Sequence, residues 1–247
     1  TLNAAATARP DALLVTPTDP NGMIAPLRSV KNNDGIPIVT VVNELAKTDG
    51  INAEVTVDNE GAGRNGAKTL AKAANGKKVT IASFGFTKGG SMASDGEIKG
   101  FEAEIRKYPN ITYLGAQYVS SDTAASTTAM NAMLARQPDL FGVYAAFGES
   151  SDGILASLRQ RNADVKLVAG WAAANDPTVK GMRDGEVLAI NDFPFREVGK
   201  GVLDTAAQIV KGDPVHSSFK YPSVTYTKAS FDDPNQAQEL GAHKCPA

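Results

Sequence analysis

Short apolar runs alternate with longer segments of helical period along the 247-residue chain. Most of the runs are apolar at consecutive positions, which is typical of strands covered on both faces and not of strands with one wet face. We therefore expect buried strands at residues 12–16, 36–42, 78–84, 111–117, 140–147, 165–171 and 187–192.

The segments between these runs predict amphipathic helices. In residues 195–213 one face of a helix contains Val198, Val202, Ala206, Ile209 and Val210, and Gly212 is placed to end that helix. Further helices are expected near residues 59–74, 94–108, 123–137 and 150–162. Strands that alternate with helices predict a doubly wound α/β fold with parallel sheets.

Residues 10–22, PDALLVTPTDPNG, show how the first predicted strand ends. In an open parallel sheet the carboxyl ends of the strands face the ligand crevice, so this corner should lie at its rim. Asp19, or Thr18 before it, could cap the next helix while Pro20 occupies its first turn. These residues either build the corner or contact a ligand directly, and we favour the corner.

Composition excludes several classes of protein. A net charge of -2, from 25 basic and 27 acidic residues, predicts no surface for nucleic acid or an anionic membrane. No run approaches the ~20 apolar residues of a membrane span, and the chain does not open like a signal peptide. The length allows one large domain or two lobes, of which we prefer two lobes.

Few residues offer catalytic chemistry. Cys245 is the only cysteine, so it is either an exposed thiol or the partner of a cysteine outside this sequence. His216 and His243 lack a matching cysteine or carboxylate pair, and neither GAGRNG at 61–66 nor GFTKGG at 85–90 has the spacing of a phosphate-binding loop. We expect no enzyme activity, no metal and no cofactor.

Four stretches, in order over nearly the whole chain, resemble the sugar-binding, type I periplasmic solute-binding proteins that supply ABC importers, the group that includes ribose-binding proteins. They are residues 8–44, 55–83, 95–127 and 190–213. A single piece such as PTDP is a weak signal, whereas the ordered set is specific. The resemblance implies two Rossmann-like lobes joined by three crossing segments, with the ligand gripped in the cleft as the lobes close.

The resemblance also implies where the lobes divide. The crossings should fall near residues 57–59, 192–194 and 224–226. The first lobe would contain residues 1–57 and 193–223, and the second residues 58–192 and 224–247. Since the lobes of the family are nearly equal, the first lobe is expected to be incomplete, with about 40 to 60 more residues before Thr1 in the mature protein.

Ligand contacts in the family come from the carboxyl ends of strands, which indicates candidate residues here. After the second predicted strand, Val42 stands where sugar binders place an aspartate, and Asn43 follows it. An amide can donate to and accept from a hydroxyl at the same time. Before Gly100 the family often places an arginine; this chain offers Asp95, flanked by Ser91 and Ser94, although Asp95 or Ser94 could instead cap a helix with Glu97 in its first turn.

The later strands supply aromatic and acidic candidates. Phe147 replaces a polar family residue and either stacks on a sugar ring or packs in the core, and Glu149 follows it. Trp171 is either core or cleft wall. Asn175 is either a ligand donor or a helix cap before Pro177. The second crossing contributes the neighbours Asp192 and Phe193.

At four positions this chain has an apolar residue where the family has a polar residue that contacts the sugar. These positions are Val42, Phe147, Ala172 and Phe193. Each hydroxyl left unpaired in such a site costs roughly 1 to 3 kcal/mol. We therefore expect a ligand less hydroxylated than a pentose or hexose, or one bound in another pose by polar anchors. Those anchors would be Asn43, Asp95, Glu149 and Asp192, whose carboxylates would also suit a cationic ligand.

The resemblance implies reversible, non-covalent capture of a small molecule by a monomeric periplasmic or extracytoplasmic protein. Its partner would be the ABC permease at the membrane, which would recognise the closed lobes. The alternative is the effector-binding domain of a lactose-repressor-type regulator, which shares this fold. That alternative requires a helix-turn-helix headpiece and a dimer interface.

Overall fold

The chain forms two compact units in a computed structural model that describes residues 2–171 and 177–241. The smaller unit comprises Thr1–Asp58 and Pro194–Pro222, and the larger comprises Asn59–Phe193 and Ser223–Ala247. The chain therefore passes between the units at three places, after Asp58, after Phe193 and after Pro222.

The described helices and strands alternate as the sequence pattern predicts. In chain order they are α1 (Leu2–Thr7), β1 (Leu13–Val15), α2 (Ile24–Ser29), a π-helical turn (Val30–Asp34), β2 (Ile38–Val42), β3 (Ala53–Val57), α3 (Asn59–Ala74), β4 (Val79–Phe86), α4 (Met92–Ile105), β5 (Ile111–Val119), α5 (Thr123–Arg136), β6 (Leu140–Ala145), α6 (Gly148–Arg161), β7 (Lys166–Gly170), α7 (Pro177–Asp184), β8 (Val187–Asp192), α8 (Phe195–Lys211), β9 (Ser218–Tyr221), β10 (Val224–Tyr226), a 3-10 turn (Lys228–Asp232) and α9 (Pro234–Glu239).

The smaller unit contains a four-stranded parallel sheet of order β1-β2-β3-β9. Helix α8 packs against β2 and β3 and buries Val198, Val202 and Ala206. Helices α1 and α2 contribute to an apolar cluster that includes Leu27 and Ile38, both fully buried. All four strands run the same way, so their carboxyl ends lie along a single edge.

The larger unit contains a six-stranded sheet of order β10-β8-β7-β6-β4-β5, in which only the β10–β8 pair is antiparallel. Both faces are covered. Val143 and Ala145 of β6 belong to one apolar cluster together with residues of α5, α6 and α7, whereas Tyr144 between them belongs to a second cluster with residues of α3 and α4. Coverage of both faces explains why these strands are apolar at consecutive positions.

Helices α3 and α4 approach each other closely because glycines face the contact. A Cβ at Gly63 would lie under 3.0 Å from the main-chain oxygen of Glu97, and a Cβ at Gly100 under 3.0 Å from that of Glu60. Gly63 belongs to the GAGRNG sequence, which therefore lies within a helix and serves helix packing.

Each strand expected from the sequence is present, and the doubly wound α/β architecture is confirmed. Strands β3, β9 and β10 were missed. In β3 the pattern is interrupted by Glu54, whose buried carboxylate accepts a hydrogen bond from the Leu45 amide at 3.0 Å. The placement of Val210 on the buried face of α8 was wrong, since its exposed fraction is 49%. No helix within residues 2–171 and 177–241 is long and apolar enough to cross a membrane.

Candidate functional site

The carboxyl-end edge of the smaller sheet contains Asn43, directly after β2. Its Nδ2 donates a hydrogen bond to the carbonyl oxygen of Pro17 at 2.8 Å, which joins the loops that follow β1 and β2. The other amide atom, Oδ1, is buried and accepts no hydrogen bond from the described residues. A buried acceptor in this state costs free energy unless something donates to it, so Oδ1 is suited to a ligand hydroxyl.

The corner after β1 is built by Asp19. Its Oδ1 accepts hydrogen bonds from the amides of Gly22, at 2.9 Å, and Asn21, at 2.8 Å, and these bonds lower the pKa of the carboxyl. The expectation that Asp19 or Thr18 caps the following helix was wrong. Helix α2 begins only at Ile24, after the turn that Asp19 closes, and its N-cap residue makes no side-chain cap.

Two residues at the carboxyl ends of strands have strained backbones. Val42, the last residue of β2, has φ of +70°, and Trp171, directly after β7, has φ of +43°. A β-branched residue is a genuine outlier in the left-handed region. Such strain costs about 1–3 kcal/mol per residue and concentrates at functional sites, so its position supports a site at these edges.

Four aromatic rings follow the parallel strands of the larger sheet; we call them the aromatic edge. They are Phe86, Phe147, Trp171 and Phe193, from the carboxyl ends of β4, β6, β7 and β8. Phe86 and Phe147 meet edge to face with ring centroids 6.0 Å apart, and Trp171 and Phe193 do so at 6.1 Å. Phe147 and Phe193 are buried and Phe86 and Trp171 half-buried, at the strand ends where parallel sheets usually meet a ligand.

Ser91 and Asp95 both have structural roles at the start of α4. Ser91 is the N-cap and accepts a hydrogen bond from the Ser94 amide at 3.3 Å. Ser94 in turn accepts from the Phe86 amide at 2.9 Å, and Asp95 Oδ2 accepts from the Gly89 amide at 2.9 Å. The cap thus belongs to Ser91, while Asp95 closes the loop before the helix.

The remaining candidates differ in exposure. Glu149 is exposed in the first turn of α6. Asp192 is the last residue of β8 and is buried, and its Oδ1 accepts a hydrogen bond from the Phe193 amide at 2.9 Å. Asn175 and Ala172 lie outside the described residues. Within the part of the chain that is described, His, Cys, Asp and Glu side chains form no group that could hold a metal ion.

A family model for the periplasmic binding protein domain matches residues 1–214. The chain belongs to the periplasmic binding protein family. Its sheets, with carboxyl-end edges that present polar and aromatic groups, agree with this assignment. No curated protein matches the sequence.

Solved structures of other periplasmic binding proteins share the fold. An ABC transporter solute-binding protein from Agrobacterium vitis, bound with alpha-D-tagatopyranose, is 26% identical, with a TM-score of 0.84 over 96% of this chain and 82% of that one. A carbohydrate transporter solute-binding protein from Agrobacterium radiobacter, in complex with D-arabinose, is 20% identical, with a TM-score of 0.84 over 97% of this chain and 81% of that one. A periplasmic solute-binding protein from Actinobacillus succinogenes with bound D-allose is 20% identical, with a TM-score of 0.84 over 94% of this chain and 83% of that one. These relatives are binding proteins and not enzymes.

Glu97, expected from the sequence only in the first turn of a helix, lies against Gly170 at the end of strand β7. It is fully buried, and the hydroxyl of Tyr144 donates a hydrogen bond to its carboxyl. Burial raises the pKa of Glu97 well above its ordinary value, and the charge of Asp192 acts in the same direction, against the hydrogen bond from Tyr144. The helical period of the sequence could have indicated that Glu97 is buried, because Glu97 lies one turn before Phe101, which is also buried.

A groove of about 480 Å³ in the larger unit lies at the other edge of the sheet. Its lining includes Arg159 and Glu186, which pair through two hydrogen bonds, one of them 2.9 Å long. It also includes Lys166, the first residue of β7. This groove is separate from the aromatic edge, since it adjoins the amino ends of the strands.

Proposed function

We propose that this chain is the substrate-binding component of an ABC transporter that captures a small sugar-like or less hydroxylated polar solute by hinge closure. The observation that supports this most is the family match over residues 1–214, together with the fold shared with a binding protein that holds alpha-D-tagatopyranose. Capture is non-covalent. A ligand with higher affinity for the closed form shifts the population toward that form.

We place the ligand at the carboxyl-end edges of the sheets. Within the aromatic edge, the half-buried rings of Phe86 and Trp171 suit the apolar side of a pyranose or a similar ring. Asn43 offers a buried acceptor, and Asp192 offers a carboxylate at the end of β8. Apolar residues at Val42, Phe147 and Phe193 leave fewer partners for hydroxyl groups, which supports a ligand with fewer hydroxyls than a pentose or hexose.

The partner is the cognate permease, and the compartment is the periplasm or its extracytoplasmic equivalent. We assign the hinge to the three places where the chain passes between the units, after Asp58, Phe193 and Pro222. The repressor alternative is not favoured, since the relatives with solved structures are transport proteins.

The test is isothermal titration of the purified protein against two sets of sugars. One set is ribose, glucose and galactose; the other is 2-deoxy-D-ribose and further deoxy sugars with fewer hydroxyls than a pentose. Micromolar binding within the deoxy set, weakened by Phe193→Ala and not by the groove variant Lys166→Ala, is the expected result. Micromolar binding of ribose, glucose or galactose would contradict the assignment to a less hydroxylated ligand, and no binding in either set would contradict a sugar-like one.

A further inference from the structure

We propose that Asn75 is a site of spontaneous deamidation, in which its side-chain amide becomes a carboxylate through a cyclic imide formed with the Gly76 nitrogen. The proposal goes beyond the proposed function, because it concerns a covalent change of the chain and needs no ligand. Three Asn-Gly sequences occur, at residues 21–22, 65–66 and 75–76. The structure separates them by the exposure of each pair and by the hydrogen bond that each glycine amide makes.

The reaction needs water as its only co-reactant. The Gly76 nitrogen bonds to Cγ of Asn75 and gives up its proton, while the bond from Cγ to Nδ2 breaks and ammonia leaves with that proton. Water then opens the cyclic imide. Cleavage at Cγ gives aspartate and cleavage at the main-chain carbonyl carbon gives isoaspartate, and no atom is oxidised or reduced. Glycine favours ring closure because it has no Cβ to obstruct the approach.

The turn that ends helix α3 and leads to β4 contains the reactive pair. Asn75 and Gly76 have φ of +48° and +76°, and both residues are exposed. The Lys77 amide donates to the carbonyl oxygen of Ala74 at 3.0 Å and closes the turn. Among the described residues, none accepts a hydrogen bond from the Gly76 amide or from the Asn75 side chain. Rotation that brings the Gly76 nitrogen to Cγ therefore disrupts little besides the one bond that closes the turn.

Lysines flank the turn on both sides. Lys72 lies in the last turn of α3, Lys77 and Lys78 follow Gly76, and all three side chains are exposed. Their positive charges stabilise the negative charge that develops on the Gly76 nitrogen as it loses its proton, and afterwards the new carboxylate. The charges around the turn thus favour both the reaction and its product.

The pair at residues 65–66 is protected inside helix α3. Gly66 is buried, and a Cβ there would lie under 3.0 Å from the ring of Tyr144. Its amide belongs to the helical hydrogen-bond pattern. Nδ2 of Asn65 donates to the hydroxyl of Ser223 at 2.9 Å. Ring closure here would require the helix to unwind in its interior.

The pair at residues 21–22 is exposed, so burial does not protect it. Here the Gly22 amide donates to Oδ1 of Asp19 at 2.9 Å, and the Asn21 amide donates to the same oxygen at 2.8 Å. A hydrogen bond to a carboxylate is stronger than one to a neutral acceptor, and the negative charge disfavours loss of the amide proton. Asp19 should therefore protect Asn21 from the reaction that Asn75 undergoes.

The experiment incubates the folded protein in mildly alkaline buffer and follows the three asparagines by peptide mapping with mass spectrometry. We expect Asn75 to be converted at least about tenfold faster than Asn21 or Asn65, because its turn opens most easily. In denaturant the three rates should become similar, since the shared Asn-Gly sequence then acts without the fold. Asn75→Gly is the matched variant, because glycine keeps the left-handed turn and removes the amide, so the main acidic form should disappear.

Asp19→Ala tests the selection directly. It frees the Gly22 amide, so conversion of Asn21 should rise by about tenfold while Asn65 and Asn75 keep their rates. An unchanged rate at Asn21 in this variant would contradict the protection by Asp19. The comparison in the natural protein needs no variant. Similar rates at the three sites of the folded protein, or conversion of Asn21 or Asn65 ahead of Asn75, would overturn the proposal.

Discussion

The hydroxyl of Tyr144 donates a hydrogen bond to the buried carboxyl of Glu97, across the contact between strand β6 and helix α4. Tyr144 also stacks on Phe101, one helical turn after Glu97, with ring centroids 4.9 Å apart. The pair is therefore fixed by a ring contact and a hydrogen bond together, close behind the aromatic edge. Its burial has consequences for stability.

Stability should depend on pH through Glu97. Because the pKa of Glu97 is raised in the folded protein, the folded state retains a proton that the unfolded state releases near its ordinary value of 4.5. The contribution of this group is complete below that value and is lost as the pH rises toward the folded pKa, by up to about 1.4 kcal/mol per pH unit.

Glu97→Gln removes this dependence. Relative to the natural protein, its free energy of unfolding should increase as the pH rises above the ordinary pKa of 4.5. Urea denaturation of both proteins at several pH values measures the difference. A difference that stays constant over this range would show that Glu97 titrates alike in the folded and unfolded states.

Gly170→Ala should destabilise the larger unit. The added methyl would lie under 3.0 Å from the carboxyl of Glu97 and would displace it from Tyr144, at a cost of about 1–3 kcal/mol. The control is Gly199→Ala in helix α8, where a Cβ meets nothing within 4 Å and alanine should stabilise by about 0.5–1 kcal/mol. Equal effects at the two positions, measured by chemical denaturation, would refute the close contact.

Val42→Asn should stabilise the smaller unit by up to about 1 kcal/mol, since asparagine tolerates the left-handed conformation that valine resists. The same change at Val41, which lies in β2 without positive φ, should destabilise it. Thermal unfolding of both variants gives the comparison. Loss of stability at both positions would mean that the packing of Val42 outweighs its backbone strain.

Asn43→Ala should weaken ligand binding by about tenfold, because it removes both the buried acceptor and the bond that holds the loop at Pro17. Asn33→Ala is the control, since Asn33 is exposed and its side chain bonds Ser29. Calorimetric titration with the best sugar measures both. Undiminished affinity in Asn43→Ala would place the ligand away from this edge.

The strands and main helices could be predicted because their signals are local. Strands buried on both faces, such as β6 and β8, are apolar at consecutive positions, and α8 ends at Gly212 in the left-handed conformation that glycine prefers. Strand β3 was missed because Glu54 interrupts its pattern. Its buried carboxylate is stabilised there by the hydrogen bond from the Leu45 amide and by the charge of Lys220.

The sequence alone determined the alternation of elements, the family resemblance and the strand ends at which Asn43, Trp171 and Asp192 lie. Only the tertiary structure decided that Asp19 closes a turn, that Val210 faces solvent and that Glu97 is enclosed between α4 and the sheet. The reason is that periodicity depends on neighbours three or four positions away. Burial and hydrogen bonding depend on which distant elements pack against a residue, and a partner such as Tyr144 lies 47 residues along the chain from Glu97.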